Sequence, residues 1–133
     1  MKTFIAIIIT AMFTFNVNAL EFIGSTKHVE CAAQVATALG LQDTDHRVWM
    51  KDERLRNVYG YFATTNDENT SALVLNKRLI TGHRDAKLTI AHEMVHIMQH
   101  LRGDTFDTEP AYHDRKHEIE AFKLEKQLYT FCK

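Results

Sequence analysis

The chain has little that would break it up or staple it together. Its 133 residues contain one proline, Pro110, and five glycines. No internal repeat, low-complexity tract or interdomain linker interrupts it, so nothing suggests more than one folded unit. It carries only two cysteines. Neither has metal-ligand spacing to another candidate, which leaves pairing as one disulfide or two buried free thiols. Neither sign of charge prevails, with 16 Lys and Arg against 17 Asp and Glu. That balance offers no electrostatic footprint for nucleic acid or for an anionic membrane. The one marked apolar run, Phe4 to Phe15, is too short to span a bilayer comfortably.

That run follows Lys2 and ends at Val17-Asn18-Ala19. A positive start, a short apolar stretch and a small residue read as a secretory signal peptide, residues 1–19. An uncleaved N-terminal anchor is the alternative. Cleavage after Ala19 leaves residues 20–133, enough for one compact domain with one core. Export to a periplasmic or extracellular space, with no membrane contact after cleavage, is the expected localisation. An oxidising compartment favours the pairing of Cys31 with Cys132, which closes a long loop between the first and last helices.

Histidine is what the chain has in quantity, eight residues. Two belong to His92-Glu93-Met94-Val95-His96, an H-E-x-x-H run within a stretch, Ala86 to Leu101, that reads as one helix. Residues four apart share a helix face, so His92 and His96 can grip one metal ion from one side. Glu93 then points toward a water on that metal, as a general base. Leu88, Ala91, Val95 and Met98 give the helix an apolar side, and Gly103 closes it. His100 lies one turn past His96 and reads as an exposed helix residue rather than a fourth ligand.

The remaining order is helix, three strands, helix, helix. Val29, Ala32, Ala33, Ala36 and Leu39 recur at helical spacing after Ser25, a candidate N-cap, and Gly40 ends that run. His46–Lys51, Val58–Phe62 and Ser71–Asn76 have strand composition. Asp85 is a candidate cap for the motif helix. Asp104 to His113 reads as a loop, and a last helix runs from about Asp114 to Phe131. The expected class is α+β: a small, mostly antiparallel sheet packed on an N-terminal helix, the motif helix and a C-terminal helix.

A catalytic zinc takes three protein ligands and keeps one position open. A histidine six residues after the second motif histidine would complete one ligand set, but Arg102 stands there. The other main class of H-E-x-x-H zinc proteins takes a glutamate from a later helix; in the last helix here Glu118 and Glu120 lie about 200° apart and cannot both face the metal. Glu118 shares a side with the small Ala121 and with Phe122, and Glu120 lies beside Lys116 and Lys123, which favours Glu118. Glu120 stays open on geometry alone.

The stretches Ile90–Gln99 and Arg115–Ala121 resemble the gluzincin metallopeptidases, in particular the small minigluzincins. They are similar also to short zincin-like domains with H-E-x-x-H-x-x-Q and to the E-x-E-A element of the M48 peptidase family. In that element the first glutamate is the ligand, which implies Glu118, and an arginine three residues earlier matches Arg115. Phe122 departs from the aspartate that usually follows the alanine there. The resemblance covers roughly residues 71–125. It implies a zincin-like domain over residues 20–133 and a zinc-dependent hydrolase that cleaves a peptide or protein substrate. Zinc would sit on His92, His96 and Glu118, with Glu93 as base. It also implies that the strand before the motif helix, Ser71–Asn76, is the sheet edge that holds an extended peptide, although its apolar Leu73 to Leu75 would fit a plain structural strand equally well. Tyr112, His113 and His117 are the candidate donors to the developing oxyanion. Two other readings use the same parts: a non-catalytic zincin scaffold acting on a larger protein partner, and a metal-dependent cell-wall amidase.

Overall fold

The computed structural model describes residues 19–24 and 27–133. The expected signal peptide, apart from Ala19, and the N-cap role of Ser25 lie outside those residues. The described chain is α+β. Strands β1 (Leu20–Ile23), β2 (His46–Glu53), β3 (Gly60–Thr64) and β4 (Thr70–Asn76) form one sheet. Helices α1 (Val29–Ala38), α2 (His83–Leu101) and α3 (Lys116–Leu128) complete it, with short 3-10 turns at Tyr112–Asp114 and Tyr129–Phe131.

The sheet is mixed, not mostly antiparallel. Its order is β1-β2-β4-β3, with β1 parallel to β2, β2 parallel to β4, and β3 antiparallel to β4. Two features produce this. A short strand, β1, precedes α1, so the chain forms a β-α-β crossover, which sets β1 and β2 parallel. The connection after β2 then carries β3 past the place beside β2, and β4 fills it. Ser71–Asn76 is therefore internal, and β3 is the edge. Asn76 holds this route in place. Its buried side chain accepts from the Leu55 N–H at 3.1 Å and donates to the Val58 carbonyl at 2.7 Å. Gly60 opens β3 because a Cβ there would stand 2.6 Å from the Val74 carbonyl oxygen.

Alternation sorts the strands. His46, Val48 and Met50 of β2 are buried in register with Ser71 and Leu73 of β4, against Ala32 and Val35 of α1 and Ile90 and Met94 of α2. Arg47, Trp49 and Lys51 stand exposed on the other face. Helix α2 lies between the sheet and α3, and every residue from Thr89 to Ile97 is buried. That placement encloses its polar motif face as well as its apolar one. The helix begins at His83 with Gly82 as N-cap, so Asp85 sits in the first turn and does not cap it. Its end is a Schellman turn: the Asp104 N–H bonds the Gln99 carbonyl and Gly103 adopts φ +85°. Among the described residues no helix is long and apolar enough to cross a membrane.

Cys31 and Cys132 form a disulfide that ties α1 to the chain's last turn across 101 residues. A loop of that length restricts the unfolded chain by about 4–5 kcal/mol in the entropic picture. Replacing both cysteines with serine should lower the melting temperature by on the order of 15 °C, measured by circular dichroism. The same fall should follow reduction of the wild-type protein, and the variant should then no longer respond to reductant.

Candidate metal centre

Helix α2 brings His92 and His96 one above the other, and α3 packs antiparallel beside it with the fully buried Ala121 at the contact. Glu118, one turn before Ala121, is thereby lowered onto the two imidazoles. His92 Nε2 lies 2.9 Å and His96 Nε2 3.1 Å from Glu118 Oε1, and the two Nε2 atoms are 3.2 Å apart. All three side chains are buried.

The outer atoms show which way the rings are held. Gln99 is fully buried, and its Nε2 donates to the His117 carbonyl and to Glu120 Oε1, both at 2.9 Å. That fixes its Oε1 toward His96 Nδ1 at 2.8 Å, where it can only accept. His92 Nδ1 faces Glu125 Oε2 at 3.4 Å. Both Nδ1 atoms are therefore donors to outer partners, and both Nε2 atoms turn inward with a carboxylate oxygen. Such outer carboxylate and amide partners are what orient imidazole ligands in metal sites.

Three acceptor atoms facing one another at about 3 Å require positive charge between them. Ligands on a tetrahedral ion at 2.0–2.1 Å lie about 3.3 Å apart, close to the spacing found. The group could hold a metal ion. Protons serve the same purpose in the ion's place. Burial works against charge on His92, but its hydrogen bonds to Glu118 and Glu125 prevail and lift it to about 9. Burial likewise opposes charge on His96, and Glu118 again raises it. Burial opposes ionisation of Glu118 too, yet the two histidines hold it well below the ordinary carboxylate range. Metal binding must then displace protons.

Glu93 sits beside this group and stays out of it. Burial pushes its carboxyl up to about 7, with His96 and His92 pulling the other way. It lines the open space on both sides of the triad. One cleft, about 560 Å³, runs past Val58, Leu88, His92 and Phe122, and the other, about 330 Å³, past Phe62, His96, Phe106 and His117. Val58, Gly60 and Tyr112 line both, so the edge strand β3 and its approach form one long wall.

The other sequence candidates divide. Tyr112 faces the centre and is half exposed, and burial, followed by the negative charge of Glu118, raises its phenol above the usual value. His117 lies 3.6 Å from Glu118 Oε2, and burial lowers its pKa. His113 packs on Phe122 and Tyr112, a layer behind. Glu120 binds Arg102 at 2.8 Å and Gln99, outside the triad. Arg115 bonds the carbonyls of Pro110 and Thr108, both at 3.1 Å, and so fixes the loop that presents Tyr112. His100 packs against Phe62 and His46 rather than joining the triad. Gln99 and Glu125 carried no role in the sequence reading. Gln99 is the last residue of the H-E-x-x-H-x-x-Q pattern, one turn past His96, and the signal for Glu125 is its position two turns past Glu118 on one face. No family model, no curated protein and no solved structure matches the chain.

Proposed function

We propose that this protein is an exported zinc-dependent peptidase of gluzincin type. The observation that carries the reading is the convergence of His92, His96 and Glu118 with a separate buried carboxylate, Glu93, at the junction of two clefts. Two imidazoles and one carboxylate suit zinc, and three protein ligands leave a position for chemistry. When bound, the ion supplies acidified water and polarises a carbonyl.

The chain's own groups account for the rest. An extended peptide lies along β3, whose outer edge no described strand covers, and its main chain pairs with that edge. Glu93 removes a proton from the attacking water and delivers it to the departing amine, so water and peptide become a carboxylic acid and an amine, and the acid's own proton then passes to the amine to give a carboxylate and an ammonium group. A carboxylate beside the triad but outside its three converging atoms is free to make both transfers. Tyr112, kept protonated, donates to the oxygen on which negative charge develops, and His117 lines the same smaller cleft. The disulfide supports the assignment to an oxidising compartment.

The test is a diverse peptide library incubated with the oxidised protein. Cleavage should stop on removal of the metal with a chelator and return with about one zinc per chain. Zinc at that stoichiometry without any cleavage would sink the peptidase reading. Absence of bound metal in material never exposed to chelator would sink the metal site with it.

A further inference from the structure

We infer that the larger cleft selects a basic side chain next to the scissile bond and that Asp85 is the residue that selects it; this rests on the peptidase reading above. The cleft of about 560 Å³ opens directly from His92 and Glu93. Val58, Leu88 and Phe122 give it apolar walls, which suit the methylenes of a long side chain. Its charged lining is acidic apart from His92, for Asp85, Glu93 and Glu125 line it and no lysine or arginine does. Glu93 is the proposed base, and Glu125 faces His92 Nδ1. Asp85 is left. It is half-buried, and its side chain makes no hydrogen bond or ion pair among the described residues.

Its distance fits the occupant. Asp85 is seven residues before His92 on the same helix, two turns or about 10 Å along the axis. An extended lysine or arginine reaches roughly 6–7 Å from its Cα and adds about 3 Å for the bond to a carboxylate. A basic residue flanking the cleaved bond would therefore lay its stem on Leu88 and Phe122 and its charge on Asp85. A neutral apolar residue of the same length would fill the walls and leave the acid unmatched. The first turn of a helix also favours an acidic residue through the helix dipole. That role would affect stability and every substrate alike, which separates it from selection.

The experiment compares wild type, Asp85→Asn and Asp85→Lys on matched peptides that carry arginine, norleucine or glutamate beside the scissile bond. Wild type should prefer arginine over norleucine by about tenfold in kcat/KM, as one charge-assisted bond provides. Asp85→Asn should lower arginine cleavage relative to norleucine until the preference is gone, and Asp85→Lys should turn it toward glutamate. Equal rates for arginine and norleucine in wild type, or an equal fall for both in Asp85→Asn, would overturn the inference. If wild type cleaves none of them, the peptidase reading fails by itself, and binding decides the cleft. Acetyl-arginine amide should then shift the Leu88 and Phe122 amide resonances at lower concentration than acetyl-norleucine amide, and only while Asp85 is present. Equal binding of the two probes would overturn the inference on its own.

Discussion

Glu93→Gln should lower peptide cleavage by on the order of a thousandfold while one zinc per chain stays bound. The amide keeps the carboxylate's shape and loses its basicity, and a positioned proton acceptor commonly contributes between about 10² and 10⁴. Because Glu93 touches the triad without supplying one of its three converging atoms, metal content measured by atomic absorption should not change. The same substitution should stabilise the metal-free protein at alkaline pH. Burial raises the Glu93 carboxyl from 4.5 to about 7, so the folded state loses stability as pH climbs through that interval, where the unfolded carboxyl ionises and the buried one stays protonated. A neutral amide has no such loss. The melting temperature of the variant should therefore exceed that of wild type more at pH 8 than at pH 4.5. Unchanged cleavage would remove Glu93 from the mechanism, and a parallel loss of zinc would make it a ligand instead.

How much of the fold and of the centre is legible in the sequence follows from which physical signals are local. Helix α2 announced itself, because Leu88, Ala91, Val95 and Met98 repeat at helical spacing and Gly103 ends the run. The pairing of His92 with His96 followed from helical pitch. Sheet direction did not, because strand pairing is a long-range property and nothing in one strand names its neighbour. Leu20–Ile23 has only four residues beside the apolar N-terminal run, and without it the β-α-β crossover is invisible. The edge position of β3 depends on Asn76, which binds a segment some 20 residues away and reads in sequence as an ordinary strand end. Ala121 marks the close side of α3 and so favours Glu118 over Glu120, but only the packing of the two helices brings Glu118 onto the histidines. Gln99 and Glu125 could not be given roles, since their partners come from the facing helix.

That division of α3 leads to the sharpest prediction about the centre. Glu118→Ala should abolish stoichiometric zinc binding, whereas Glu120→Ala should leave one zinc per chain with weaker affinity. Glu118 Oε1 is within 3.1 Å of both inward imidazole nitrogens. Glu120 reaches the site only through Gln99, which holds His96 Nδ1. Loss of an outer partner of that kind costs roughly 10–100-fold in metal affinity, and loss of a ligand costs more. Titration of both variants with zinc against a competing chelator separates the two cases. Acid should act in the same direction as Glu118→Ala. In the metal-free state the triad raises His92 to about 9 and His96 above its ordinary value, so an ion must displace protons from both rings. Wild-type affinity should accordingly fall steadily as pH is lowered from about 9. If Glu120→Ala, and not Glu118→Ala, removed the zinc, α3 would have to present its opposite face to the histidines, and the packing through Ala121 would be wrong.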